Sequence, residues 1–538
     1  MSGPGYAASG AVRRPGLTTM LGIVWRTRRR GILVWVIALA ASMIGTAASI
    51  ANLYDTPAKI HSYAEAVTAG SALAAINGHV AGIDSLGGVI QDEFGFLASF
   101  LLPLLGIALV AGSTRREEES GRLETVLAGR IARHQPVLAA LVVATAAILA
   151  TAVLFAAGLT IAGVPAGAAV LYSVALGALA FAFAGVAALL AQLVLHARGV
   201  YAGSLIVLAV AYVLRGVGDT TAGWLTWLSP LGWVEKTAPF ADRRWWVLAL
   251  PVATGLVAGG AALWRSTRRD LGSALLRGGP GPARASRLRR RPIGFATWVH
   301  APATLGWLAG GVLLTGMMGA LAQQLLGAIA GNPGLAAAMG MSGARPVHGF
   351  VAGTQLYLAV IGTGYLVQAI GTLRAEEAAG RVETRLAGTL SRLRWLGAHA
   401  VVVAAGLVVI VVGSSLVLAS TTAWSVGDAD EFGAIIRSGL AYLPAELVLG
   451  GVALALFGLW PRGFGLGWAA YAVATFIAFL GPGLKLAQWV LDLAPTTHVG
   501  NPPLGTAEPG GLAVLSLVAV ALLLLGFAAF RHRDVPRA

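Results

Sequence analysis

Cysteine is absent from this chain of 538 residues, and charged residues make up only 11% of it. The missing cysteine excludes a disulfide scaffold and any metal site with cysteine ligands. The low charge excludes a soluble globular protein of this length, because soluble domains carry about 25% charged residues. Hydrophobic residues make up 57% of the chain, so the composition indicates a protein solvated largely by lipid.

Lysine is scarce as well, since Lys59, Lys236 and Lys485 are the only ones in the sequence. A P-loop binds nucleotide phosphates through Gly-x-x-x-x-Gly-Lys-Ser/Thr, and none of the three lysines precedes serine or threonine. The nine histidines form no His-Glu-x-x-His pair. We therefore expect no ATP site, no metal site and no catalytic residues on this chain.

Long apolar runs recur along the sequence, each near the 20 residues that a helix needs to cross a bilayer. They predict an all-α membrane protein with twelve transmembrane helices in two six-span halves. The predicted spans are 31–51, 94–113, 137–162, 168–195, 199–217 and 246–264, then 303–322, 350–373, 397–420, 436–459, 464–481 and 510–530.

The basic residues divide unequally between the two sides of this arrangement. With the N-terminus placed inside, 30 of the 38 Lys and Arg fall in inside segments. Such a bias is typical of cytoplasmic loops, so both termini are predicted to be cytoplasmic. The net charge of +15 is explained in the same way, as contact with the cytoplasm and anionic lipid rather than with nucleic acid.

Three segments follow from these spans: a first half (1–264), a basic Gly- and Pro-rich cytoplasmic linker (265–292) and a second half (293–538). Before the first span, Leu17, Met20, Leu21 and Val24 repeat at helical spacing and are followed by arginines. This pattern predicts a separate helix lying in the membrane interface. The alternative is that these residues extend the first span.

A duplication relates the two halves. Residues 117–129 and 376–388 lie 259 positions apart, each after the second span of its half, and are identical at nine of thirteen positions. A weaker echo, Arg-Asp, follows the last span of each half at Arg269 and Arg533. Since both halves begin and end inside, they are predicted to be parallel repeats.

The repeated motif combines charge, a turn and a short helix. Its glycine permits a sharp turn, and the apolar positions after it share one helix face. Such a helix would lie parallel to the membrane and suit the docking of a protein partner; alternatively, the charges only mark the cytoplasmic border. The residues that carry the motif are Glu117, Glu118, Gly121, Arg122 and Glu124, and Glu376, Glu377, Gly380, Arg381 and Glu383.

The run Glu-Glu-x-x-Gly-Arg-x-Glu-x-x-Leu resembles that of ABC-2 type permeases. The two-copy, twelve-span layout resembles the permeases of two-component antibiotic exporters of the tetronasin or polyketide type. The resemblance implies that the ten motif residues belong to two coupling helices, each docked on a separate ATPase subunit. Two such subunits, with ATP and Mg²⁺ bound on them, are then expected per permease. Ala128-Gly129 and Ala387-Gly388 stand where many ABC-2 motifs have proline after the leucines.

Four polar residues within predicted spans are candidates for a substrate pathway: Glu446, Gln192, Gln355 and Gln368. An ionised carboxylate in a bilayer costs about 2.5 kcal/mol or more, so Glu446 is the strongest anomaly. The leading hypothesis is a permease of the bacterial inner membrane that exports hydrophobic or amphiphilic compounds, such as antibiotics. The alternatives are a proton-coupled transporter that uses Glu446, and a membrane assembly scaffold that transports nothing.

Overall fold

The computed structural model describes residues 16–68, 77–129, 131–220, 222–276, 284, 286–323, 326–327, 346–482 and 486–534. The secondary structure of these residues is helical, and no β-strand occurs among them. The predicted all-α class is therefore confirmed. The Gly- and Pro-rich centre of the predicted linker, 278–282, lies outside the described residues.

The chain divides into two compact units, Met1–Pro280 and Gly281–Ala538. The first unit contains α1 (Leu17–Leu53), α2 (Pro57–Thr68), α3 (Leu86–Ser113), α4 (Arg115–Glu119), α5 (Arg122–Leu127), α6 (Gln135–Ile161), α7 (Ala166–Leu193), α8 (Ala197–Thr220), α9 (Leu225–Leu228), α10 (Pro230–Lys236) and α11 (Ala249–Arg268). The second contains α12 (Pro292–Ala320), α13 (Pro346–Ala378), α14 (Arg381–Leu386), α15 (Arg392–Val426), α16 (Phe432–Ala441), α17 (Leu443–Leu459), α18 (Gly465–Leu480), α19 (Gln488–Leu491) and α20 (Pro509–His532).

Twelve helical segments of the described chain are long and apolar enough to cross a membrane, six in each unit. Each coincides with one predicted span, so the predicted number of spans is confirmed. The tenth span is interrupted at Tyr442, which separates α16 from α17. Pro444 explains the break, since it lacks the N–H that would bond to the carbonyl one turn earlier.

The first helix differs from the prediction. Residues 17–53 form one continuous helix of 37 residues instead of an interfacial helix followed by a span. No proline occurs between Leu17 and Leu53, and Gly31, which directly follows the arginines, disfavours the helix by only about 1 kcal/mol, so the helix continues through it. The separate interfacial helix is therefore wrong, and the alternative of an extended first span is right.

The two units repeat the same helix pairings. The first span packs on the third in each unit, as α1 on α6 and α12 on α15. The fourth packs on the sixth, as α7 on α11 and α17 on α20. These last two crossings are close because glycines meet there: a Cβ on Gly185 would lie 2.6 Å from the Gly255 oxygen, and one on Gly458 would lie 2.5 Å from the Gly526 oxygen. Small residues at such crossings permit close backbone packing between membrane helices.

The segments that connect the spans contact one another where the prediction places them on the same side of the membrane. Glu118 contacts Arg269 on the predicted cytoplasmic side. On the opposite side, His348 contacts Glu431, and the hydroxyl of Tyr63 donates to Asp92. These contacts agree with the alternation of twelve spans within each unit.

Single cysteines introduced into this cysteine-free chain test the predicted orientation. Ser120 and Ala379 are exposed on the predicted cytoplasmic side, and Asp242 and Asp428 are exposed on the other. We expect a membrane-impermeant maleimide to label Asp242→Cys and Asp428→Cys in intact cells. Ser120→Cys and Ala379→Cys should react only after permeabilisation. Labelling of Ser120→Cys in intact cells would refute the orientation.

Candidate functional site

The repeated motif forms the same backbone structure in both units. Gly121 and Gly380 lie between the end of the second span and a short helix, with φ of +73° and +69°. These left-handed values are costly for residues with a side chain and explain why glycine stands at both turns. The short helices that follow are α5 and α14, six residues each. The sequence prediction of a glycine turn before a short helix is borne out at both sites.

An ion pair closes each glycine turn. Nε of Arg122 lies 2.7 Å from a carboxylate oxygen of Glu117, and Nε of Arg381 lies 2.8 Å from one of Glu376. The hydrogen bond from the acidic partner raises the pKa of both guanidinium groups above the ordinary value. In the first unit Glu117 also accepts a bond of 2.9 Å from Arg28 of α1. The start of each short helix is thus held to the span before it.

The second acidic residue of each motif reaches the far end of its unit. Glu118 forms two bonds of 2.7 and 2.5 Å with Arg269, which directly follows α11. Glu377 forms two bonds of 2.6 and 2.9 Å with Arg533, which directly follows α20. We call these pairs the first clamp (Glu118–Arg269) and the second clamp (Glu377–Arg533). Both carboxylates are buried, with 4% and 2% of the side chain exposed.

Each clamp is extended by an arginine at the start of the third span. Arg133 donates to the carbonyl oxygen of Arg269 at 3.3 Å, and Arg392 donates to that of Arg533. These arginines lie at equivalent positions of the repeat. In each unit the clamp therefore joins the ends of the second and sixth spans and the start of the third.

The first clamp has additional partners. The buried Arg115 lies 2.7 Å from Glu118, and the Gly272 N–H donates to the same carboxylate at 2.8 Å. Arg269 also donates to the side-chain oxygen of Gln192 at 2.7 Å. Charge-assisted, bidentate bonds of this kind are the strongest hydrogen bonds available to side chains.

Burial separates the motif residues into two groups. Leu123 and Val382 attach the short helices to their units, with exposed fractions of 9% and 1%. Glu118 and Glu377 are also buried, and their carboxylates are bonded within their own units. Glu124 is exposed on the outer side of α5. Glu383, its counterpart on α14, is half-buried.

The four polar residues predicted for a substrate pathway lie in separate environments. Gln192 belongs to the surroundings of the first clamp. Gln355 donates to the Ile435 carbonyl at 2.8 Å, and Gln368 accepts a bond of 2.6 Å from the indole of Trp307. Glu446 is buried, and no hydrogen-bond partner of its carboxylate occurs among the described residues.

The first unit contains a buried polar group that the sequence reasoning missed. Arg215 of α8 and Glu235 of α10 form an ion pair of 3.0 Å and line a cavity with Asn77, Gln91 and Tyr172. Burial raises the pKa of Glu235 to about 8, against the opposing effect of Arg215. The only sequence signal is an acidic residue inside a tryptophan-rich segment, which does not identify a partner on another helix.

Two comparisons relate the whole chain to known proteins. A family model described as "Multidrug efflux system permease Rv1217c, C-terminal domain" matches residues 17–265 and 290–531. The multidrug efflux system permease protein Rv1217c of Mycobacterium tuberculosis is 32% identical over 533 residues, which cover 97% of this chain and 96% of that protein. The residues matched by the family model contain both copies of the motif, with Glu118 and Glu377, whereas Arg269 and Arg533 lie just outside the matched ranges.

The clamps should be essential to the stability of their units. Glu118→Gln removes the charge that Arg115 and Arg269 share, leaving buried cations without compensation. Breaking a buried ion pair in this way costs about 3–5 kcal/mol, so we expect a clear fall in the melting temperature of the detergent-purified protein.

Glu124→Gln is the matched control, since it makes the same change at an exposed residue six positions along the motif. It should leave the melting temperature within about 1 °C, because exposed charges contribute little to stability. Equal melting temperatures for Glu118→Gln and Glu124→Gln would show that the first clamp contributes nothing.

Proposed function

The chain belongs to the family of multidrug efflux system permeases, as a multi-pass protein of the bacterial plasma membrane, and on that premise we propose that it works as the transport subunit of an ATP-driven exporter. In this proposal a separate ATPase subunit docks on α5 and another on α14. ATP and Mg²⁺ bind to those subunits, which agrees with the lack of a P-loop motif in the sequence.

The observation that carries the proposal is the duplication of the clamps. A helix that only marked the membrane border would not need a buried, bidentate connection to a span more than 150 residues away in the sequence. A helix that receives force from a partner needs such a connection. Two copies of the same connection fit a drive made of two equivalent subunits.

The route of the force within each unit follows the contacts. Movement of α5 acts through the first clamp on the end of α11, which packs closely on α7 at Gly185 and Gly255. Movement of α14 acts through the second clamp on α20, which packs on α17 in the same way. Because these packed crossings leave no free space, displacement of the last span displaces the fourth.

The substrate class follows from the family and the composition of the spans. We propose hydrophobic or amphiphilic compounds, including antibiotics, as the exported molecules. Among efflux permeases, we favour the ABC-2 type for this chain, and within it the exporters of tetronasin or polyketide type, because the chain has twelve spans and two copies of the motif. Pockets for such substrates are lined mainly by apolar side chains with few polar groups.

One observation favours a second mechanism, a proton-coupled carrier. The carboxylate of Glu446 lies in the tenth span, packed against Gly362 of α13, where a Cβ would be 2.7 Å from Oε2. A buried acid without a hydrogen-bond partner is a candidate proton carrier. This mechanism differs in its energy source: export would continue without any ATPase and would require a proton gradient. Membership of an efflux permease family leaves little support for the third alternative, a scaffold without transport.

Docking on the two short helices can be tested at their outer faces. Thr125 and Thr384 are equivalent, exposed, and two positions after the buried Leu123 and Val382, hence on the opposite side of each helix. We expect Thr125→Arg with Thr384→Arg to lower association with the proposed P-loop ATPase subunit about tenfold or more, as in disruption of an interface centre. Co-purification and substrate-stimulated ATP hydrolysis would measure the loss.

Thr506→Arg provides the control, because this exposed threonine lies on the side predicted to face away from the ATPase. It should leave both readouts unchanged, and the melting temperature of all variants should stay near that of the wild type. Full ATPase association by the double variant would argue against docking on α5 and α14. Drug export in vesicles that contain no ATPase would favour the Glu446 mechanism.

A further inference from the structure

A basic cavity lies beside α14 in the second unit and has no role in the function proposed above. It encloses about 660 Å³, part of it open to solvent, between the starts of α12 and α15 and the end of α14. Four arginines and two aromatic residues form most of its wall: Arg290, Arg291, Arg385, Arg394, Phe295 and Trp395.

The arginines of this cavity have no directly paired carboxylate among the described residues. All 23 aspartates and glutamates of the chain lie within the described residues. The arginine–carboxylate pairs recorded for the described part of this unit belong to Arg381 and Arg533. In the part of the chain that the structure describes, none of the four cavity arginines forms an ion pair with a carboxylate. Like charges that line one cavity repel each other, and an anion between them relieves that repulsion.

Two aromatic side chains give the cavity a fixed shape. The Arg385 guanidinium lies 3.6 Å from the centre of the Phe295 ring, a cation–π contact that restrains its orientation. Trp395 is 3% exposed and stacks on Phe530 at 5.5 Å. Guanidinium groups held in this manner are suited to the planar, multiple hydrogen bonds that phosphate oxygens accept.

Large apolar side chains are exposed near the cavity. Ile293 and Trp298 of α12 are 56% and 52% exposed, and Leu393 of α15 is 39% exposed. In a chain that spans a membrane, such residues at the starts of spans contact lipid, and tryptophan favours the headgroup level. The surroundings therefore suit a ligand that has both a phosphate and acyl chains.

Two arginines of the cavity have no basic counterpart in the first half. At the repeat offset, Arg385 corresponds to Val126 and Arg394 corresponds to Gln135. The cavity beside α5 in the first unit is lined instead by residues of the first clamp, including the acidic Glu118. The basic wall is thus not required by the shared fold, which the first half achieves without it.

We propose that this cavity binds the phosphate of an anionic phospholipid from the surrounding leaflet. Arg385 and Arg394 bind the phosphate oxygens together with Arg290 and Arg291, and the acyl chains lie along Ile293 and Trp298. Because Arg385 belongs to α14, the bound lipid connects this short helix to the membrane. Binding of the lipid does not depend on a partner ATPase.

Native mass spectrometry of the full chain, purified in detergent, tests this site with phosphatidylglycerol as the probe. Phosphatidylcholine serves as the zwitterionic comparison, and inorganic phosphate serves as the free anion. We expect retained phosphatidylglycerol, and about tenfold or greater loss of affinity in Arg385→Gln with Arg394→Gln, since each arginine near an anionic lipid strengthens binding several-fold. Arg290→Gln with Arg291→Gln removes charge from a different segment and should have the same effect.

Arg116→Gln with Arg198→Gln is the matched control, because it removes two exposed arginines from the first unit. It should bind phosphatidylglycerol as the wild type does. The proposal is overturned if the cavity variants bind this lipid normally, if phosphatidylcholine binds equally well, or if the control loses as much affinity. If millimolar inorganic phosphate displaced all of the bound phosphatidylglycerol, the proposal of a lipid ligand would also be overturned. The cavity would then be assigned to free phosphate.

Discussion

A buried bidentate ion pair between an acidic residue after the second span and an arginine after the sixth is the constraint on which each unit depends. Charges removed from water must be fully paired, since the loss of one partner leaves the other uncompensated. Glu118 and Glu377 satisfy this requirement through Arg269 and Arg533. The positions of both short helices, α5 and α14, follow from it, because each begins a few residues after its clamped glutamate.

The clamps and the ion pairs at the glycine turns are shared by the two units, whereas several other polar groups are not. Arg115 and Gln192 reinforce only the first clamp, and the Arg215–Glu235 pair lies only in the first unit. The basic cavity and Glu446 lie only in the second. The duplicated part fits an interaction with two equal partners, and the unequal parts fit roles that involve one half, such as substrate or lipid binding.

Hydropathy and charge bias predicted all twelve spans because crossing a bilayer imposes one length and one kind of side chain on every helix. The repeat likewise predicted the glycine turns at Gly121 and Gly380. The partners of Glu118 and Glu377 could not be predicted, since arginines 151 and 156 residues away meet them only after the unit has folded. For the same reason Gln192 was assigned to a substrate pathway, although its side chain is bound to Arg269 at the end of a span.

The most direct test of the coupling account is a double-mutant cycle on the second clamp, with drug uptake into inverted vesicles that contain the ATPase as the readout. If Glu377 and Arg533 act as one unit, Glu377→Gln and Arg533→Gln should each abolish most ATP-dependent uptake, and the double variant should be no worse than either. Independent, multiplying losses, or full uptake by either single variant, would contradict a role for the clamp in transmitting force from α14 to the last span.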